Sequence, residues 1–334
     1  MTGRLRILRA CTLTATLLCC YSALAKDNPE EKARPLLKAA AERSLFHADK
    51  SAPFGMLFKF ELRTFGSKPA WGAYSWMVTP DGDWRQETKF LDYSDLEISR
   101  GTTLWIKRSV DYRPLQAVWV EAAFSNFLYL NRTEDEITRY STTSEHHVEL
   151  RCVDLLRDKT ARTLCFDAED NLRKVNLTDS YTTYEFSDFR PIGKKFAPYK
   201  IVATREGRVV VDGAIEVLTR DTKFDPALFD PPAGAIKRDG CLNPTLPSLK
   251  KKVDPEYPST FRSAQRQGTV SAYVLITSDG GIQNPRIVQT GGQYLDASVL
   301  KAVPKWQFEP AKCGDVPIDY EAEITINFAL RMTY

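Results

Sequence analysis

The last 82 residues, Val253 to Tyr334, constrain the fold more than any other stretch of the chain. Apolar side chains recur there at every second position. Val270, Ala272, Val274 and Ile276 share one face of a strand over residues 269–277. Ile318, Tyr320, Ala322, Ile324, Ile326 and Phe328 share one face of a long strand over 317–330, alternating with Asp319, Glu321, Glu323, Thr325 and Asn327. A period of two belongs to a strand with one face covered and one face wet. Asp279-Gly280-Gly281 supplies a hairpin turn before a second strand at 282–289, where Pro285 marks a bulge or an unpaired edge. Residues 259–267 read as a short helix stopped by Gly268. Residues 294–303 read as another, with Leu295, Val299, Leu300 and Val303 inward. The expectation is a small mixed α/β unit without catalytic machinery.

The order of these features resembles the C-terminal domain of the TonB family. The matching residues are Tyr257-Pro258, Gly268-Thr269-Val270, Asp279-Gly280, Leu295-Asp296, Ala302-Val303, Trp306-Gln307-Phe308-Glu309-Pro310 and Asn327-Phe328. The resemblance covers about a quarter of the chain. It implies a protein-binding module of the bacterial envelope that adds a short extended segment of an outer-membrane or periplasmic protein to an exposed strand edge. Ile318, Tyr320, Ala322, Ile324, Ile326 and Phe328 mark the candidate partner-binding strand. Energy-transducing members carry a membrane anchor with a polar Ser/His motif and a long Pro-rich rod, and this sequence departs from both.

The chain opens with Arg4, Arg6 and Arg9, then an apolar run over 10–24 closing on Ala23-Leu24-Ala25. This reads as a secretory signal peptide cleaved after Ala25, giving a periplasmic product. The run is short of the ~20 residues that span a bilayer, and a retained anchor is the competing reading. Loss of the leader lowers Lys+Arg from 46 to 43, against 43 Asp+Glu. A mature charge near zero argues against nucleic acid, which demands a basic footprint. Four of seven cysteines then remain: Cys152, Cys165, Cys241 and Cys313. An even number in an exported chain implies two disulfides. Two strands around a turn at Asp158-Lys159 would set Cys152 opposite Cys165, leaving Cys241 and Cys313 to tie the junction to the last domain.

Four units follow: signal peptide 1–25, a domain over 26–235, a Pro-, Gly- and Lys-rich linker at 236–252, and the terminal domain at 253–334. The 26–235 segment begins with a helix at 29–43 bearing Ala33, Leu36, Leu37, Ala40 and Ala41 on one face. Four or five strands come next, rich in aromatic and branched residues and bounded by Gly, Pro and Asp. Residues 114–129, apolar around most of their circumference, form a helix that must be buried. About six more strands run to the closing Phe224-Asp225-Pro226-Ala227-Leu228-Phe229. That order, with Trp84-Arg85 after Asp81-Gly82, is similar to the LolA/LolB lipoprotein-carrier fold. The resemblance implies an α+β architecture: an antiparallel half-barrel with an apolar concave face under helices, followed by the small α+β domain. Phe58, Phe60, Trp76, Trp105, Trp119, Phe124 and Phe127 are the candidate lining of an acyl-chain pocket, and an ordinary packed core is the competing reading.

No nucleophile elbow, phosphate loop, dinucleotide fingerprint or zinc-protease pattern occurs. His47 lies beside a helix end. His146 and His147, adjacent in an expected strand, would point to opposite faces and cannot chelate one metal. Glu134-Asp135-Glu136 reads as a solvated loop or helix start. The basic cluster Lys237, Arg238 and Lys250-Lys251-Lys252 reads as a solvated linker. The expectation is a non-enzyme without metal or cofactor: an envelope adaptor, or alternatively a carrier of lipid or lipoprotein acyl chains.

Overall fold

The computed structural model describes residues 28–47, 53–63, 68–130, 132–145, 147–157, 160–178, 180–220, 222–239, 241, 244–263 and 267–329. The leader, His146 and the Asp158-Lys159 turn lie outside these residues.

Helix α1 (Pro29–Arg43) starts where the Asn28 side chain accepts from the Glu30 amide, and it buries the five expected residues. Five strands follow as a meander: β1 (Phe54–Leu62), β2 (Ala70–Val78), β3 (Trp84–Phe90), β4 (Tyr93–Arg100) and β5 (Thr103–Arg108). Helix α2 (Leu115–Ser125) continues as a 3-10 turn, Asn126–Tyr129. Seven further strands are β6 (Glu136–Glu145), β7 (Val148–Arg157), β8 (Thr160–Phe166), β9 (Leu172–Leu177), β10 (Thr182–Ile192), β11 (Lys195–Arg205) and β12 (Arg208–Arg220). With β13 (Ile236–Asp239) they form one antiparallel sheet of 13 strands, ordered β13-β5-β4-β3-β2-β1-β12-β11-β10-β9-β8-β7-β6. Its end strands do not pair with each other, so the sheet is open.

The covered face of the sheet is built by Phe54, Met56, Phe58, Phe60 and Leu62 of β1, with helix α2 packed on it. Phe124 of α2 meets Phe46, Phe58 and Tyr74 at ring distances of 5.3, 5.2 and 5.3 Å. A Cβ on Gly72 would lie 2.4 Å from the Phe60 ring and one on Gly213 2.3 Å from the Phe58 ring. These strand glycines are there to admit two phenylalanines from the middle strand.

The terminal domain follows from β14 (Ser248–Lys251), α3 (Ser259–Ser263), β15 (Gly268–Ile276), β16 (Ile282–Gln289), α4 (Gln293–Ala302), β17 (Gln307–Glu309), β18 (Ala311–Cys313), β19 (Val316–Ile318) and β20 (Tyr320–Phe328). A three-stranded sheet ordered β16-β15-β20 packs Val270, Ala272, Val274 and Ile276 against Leu295, Val299 and Val303. Gly280 sits at φ +84°, and a Cβ there would come within 2.0 Å of the Phe308 carbonyl oxygen, so this turn requires glycine. The register skips between Tyr273 and Leu275, opposite Asn284-Pro285, which makes Pro285 a bulge on an edge strand.

Several expectations are corrected. The closing strand is broken: Val316–Ile318 pairs with β18, and the ladder with β15 begins at Tyr320. Leu300 is exposed on the outer side of α4. Strand β6 was not expected, because an edge strand with sequence EITRYSTTSE lacks an apolar alternation. Asp135 just before it is buried, paired with Arg157 and Arg162 at 2.9 and 3.2 Å, and is not a solvated loop residue. His147 lies in the β6–β7 turn with φ 65°, not within a strand. The junction is structured from both sides, since β13 extends the large sheet and β14 pairs with β17. The two expected disulfides, Cys152–Cys165 and Cys241–Cys313, are both present.

Candidate functional site at the domain interface

The terminal domain packs against the large sheet, touching β5, β11 and the segment before α2. The contact is made by the polar face of β20, the face alternation would assign to solvent. Glu321 accepts from Arg108 Nη1 and Nη2 at 3.3 and 3.2 Å and from Arg238 Nη1 at 2.7 Å. Arg113 Nε stands 3.8 Å from the same carboxylate. Arg108 also donates to Asp95 at 2.8 Å and Glu97 at 3.4 Å. Arg113 donates to Glu97 and stands 3.2 Å from Glu121. A second latch uses Arg205 of β11, only 1% exposed, with Nη2 donating to Ser271 at 3.3 Å and Nη1 3.7 Å from Glu323. The Tyr112 and Tyr273 rings meet across the interface at 6.4 Å with their planes tilted by 59°, and Arg286 bonds Asp111 at 2.9 Å.

Burial and charge set the protonation of this cluster. Burial opposes ionisation of Glu321, but Arg113, Arg108 and Arg238 outweigh it and hold the carboxyl down at about 2. Glu121 has the opposite balance. Burial, with Glu97 and Asp95 nearby, pushes it up to about 7 despite Arg113. Burial raises Glu97 as well, and raises Glu323 against the pull of Arg205.

Beside the latches lies a cavity of about 930 Å³. Its floor is half-barrel: Phe46, Tyr74, Trp76, Trp84, Val118 and Phe124. Its roof is Tyr273, Ile276, Val288, Leu249, Phe308 and the consecutive residues Tyr320 to Ile324. Cys241 and His47 also line it. Trp76 Nε1 and Asn126 Nδ2 are buried without a hydrogen-bond partner among the described residues, and both residues line this cavity.

Of the seven candidate lining residues, Trp76 and Phe124 reach the cavity. Phe58, Phe60 and Phe127 are buried in the aromatic packing beneath it, and Trp119 is buried with Arg205 5.9 Å over its ring. Trp105 lies on the other face: it pairs with Ile98, whereas Glu97 and Ile106 share the cavity side, and successive strand residues alternate. In the candidate partner-binding strand, Ile318 and Phe328 are buried, and Ala322, Ile324 and Ile326 are half-buried against the small core. Those side chains pack inward, and beyond Tyr320 no other described strand joins the outer backbone edge of β20. The linker reading of Arg238 fails because Glu321 binds it. Among the described residues no group of His, Cys, Asp and Glu could hold a metal ion, and no helix is long and apolar enough to cross a membrane.

The described residues thus form an open antiparallel sheet packed against a small module in which β20 is an edge strand paired with β15. That module is similar to a TonB C-terminal domain: residues 253–330 match the family model of the Gram-negative bacterial TonB protein C-terminal. Protein TonB of Vibrio cholerae is 31% identical over 83 residues, covering 25% of this chain and 34% of that one. Protein tonB2 of Pseudomonas aeruginosa is 34% identical over 77 residues, covering 23% and 28%. The chain therefore spans about a third of the length of these curated relatives. A LolA superfamily protein of Nitrosomonas europaea superposes with a TM-score of 0.43 at 12% identity, covering 59% of this chain and 97% of that one.

Proposed function

We propose that this protein is a periplasmic adaptor of the bacterial envelope and not an enzyme. Its terminal domain receives an extended segment of an outer-membrane or periplasmic protein as an added strand. The observation that carries the reading is the outer edge of β20 over residues 321–328, which no other described strand joins. Backbone groups there can complete a ladder with any extended chain, and flanking side chains then select the sequence. A photo-crosslinker placed at exposed Asn327 in cells is expected to capture a segment of an outer-membrane protein, and Thr325→Pro is expected to weaken capture. Adducts confined to lipid or to this chain's own copies would refute the adaptor reading.

The interdomain cavity supports a second reading, a carrier of lipid or lipoprotein acyl chains. Its volume suits a small amphiphile. Native mass spectrometry of protein taken from its own envelope tests this directly, and the absence of any stoichiometric acyl ligand removes it.

A further inference from the structure

The cavity between the two domains has an uneven wall. At the end lined by Arg157 and Arg162, charge is matched by Glu134 and buried Asp135. Glu323 faces Arg205. The remaining group joins Arg108, Arg113 and Arg238 to Asp95, Glu97, Glu121 and Glu321, three guanidinium groups among four carboxyls. Glu97 on β4, Glu121 on α2 and Glu321 on β20 line the cavity. The strand register sets Glu97 opposite Gln86 and Gln86 opposite Trp76, so these three form one row across β4, β3 and β2 on the cavity side. Trp84 stands two residues along β3 on that same face, half-buried. Trp76 Nε1 and Asn126 Nδ2 belong to cavity-lining residues only 8% and 2% exposed, and neither atom has a hydrogen-bond partner among the described residues.

We propose that this cavity holds one dissolved amphiphile ending in an ammonium group, with the cation seated between Glu97 and Glu121 against the Trp84 ring. This rests on the carrier reading above and assigns the class of its ligand. The apolar tail lies among Phe46, Val118, Leu249, Ile276 and Phe308. An ester or hydroxyl oxygen near the head accepts from Trp76 Nε1 or Asn126 Nδ2, donors that a purely apolar ligand would leave unsatisfied. An aromatic face attracts a cation in a desolvated site, and the fourth carboxyl supplies the opposite charge. An anionic head would instead add to a group in which carboxyls already outnumber guanidinium groups. Glu121 reports the difference. Arg113, Glu97, Asp95 and Thr88 face it, with the Tyr74 and Tyr93 hydroxyls in range, and Arg113 alone does not hold it ionised: it stands at about 7. A ligand cation beside it drives that proton off. Binding therefore tightens as pH rises through 7, by about tenfold between pH 6 and pH 8 for one carboxyl of that value.

The test uses the full oxidised chain and three probes with matched alkyl tails, all below micelle formation: decanoylcholine, decanoate and decyl maltoside. Binding is followed by calorimetry and tryptophan fluorescence. Decanoylcholine is expected to bind once per chain, about tenfold or more tighter than either other probe. In buffers of differing ionisation enthalpy at pH 7 its binding should release about half a proton. Glu121→Gln should abolish both that release and the pH dependence. Trp84→Leu should weaken decanoylcholine about fivefold and leave the release in place. Urea unfolding at pH 7 checks that both variants are folded. Equal binding of the three probes, or a preference for decanoate, would overturn the cation assignment and leave the carrier reading standing. A preference for decanoylcholine without proton release would overturn the seat at Glu121. Binding of none of them at about 1 mM would remove the carrier reading along with the cation site.

Discussion

Replacing Glu321 by Gln removes the charge on which three arginines converge. The carboxyl is held at about 2, against an ordinary 4.5. At 1.36 kcal/mol per unit, that displacement is worth about 3 kcal/mol of stability at neutral pH. Breaking a buried ion pair costs about 3–5 kcal/mol when the partner is stranded. Arg108 keeps Asp95 and Glu97 in this variant, so the lower end applies. The sign with pH follows from the depressed value. The contribution is fully present above about 4.5 and disappears as pH falls through about 2. Urea unfolding of parent and variant, oxidised, should differ by about 3 kcal/mol at pH 7, and the gap should narrow steadily below pH 4.5. Hydrogen exchange should show the lost protection at β15 and β20. Glu323→Gln is the control, two residues along the same face. Burial raises its carboxyl against the pull of Arg205, so the Glu323→Gln gap should not narrow below pH 4.5 as the Glu321→Gln gap does. A gap under about 1 kcal/mol for Glu321→Gln, or one that does not change with pH, would refute the latch.

Glu121, pushed up to about 7, contributes in the opposite direction: the folded state holds a proton the unfolded chain has lost, so its share of stability falls as pH rises from about 4.5 to about 7, and Glu121→Gln should flatten that part of a pH–stability profile. Cys313→Ser, opening a loop with a sequence separation of 72, should cost about 4 kcal/mol on the chain-entropy model, and Cys152→Ser, with a separation of 13, about 3 kcal/mol, both read by chemical denaturation. Gly280→Ala should destabilise the terminal domain by about 1–3 kcal/mol, because it combines a left-handed backbone with a Cβ against the Phe308 carbonyl. A melting temperature unchanged by this substitution would mean the turn is free to move.

What the amino-acid sequence determined by itself is the set of features encoded locally. Helix α1 was legible because five apolar residues repeat on one face, and β15, β16 and their Asp-Gly turn because alternation and turn chemistry lie within a few residues of each other. The Cys152–Cys165 bridge follows from a hairpin short enough to read. Strand β6 was illegible because Ile137 is the one buried residue among its ten, too few to make a period. The roles of Glu321 and Glu323 were hidden for a different reason. Two glutamates alternating with apolar residues specify a polar face but not what covers it. Arg108 lies 213 positions from Glu321, and Arg205 lies 66 from Ser271. Only tertiary docking decided that this face meets buried arginines, and that one glutamate is driven down in pKa while its neighbour is driven up. The cavity belongs to the same category. It is a volume left between two surfaces that the chain brings together from opposite ends, and a pattern of residues records what fills space, not the space that packing leaves empty.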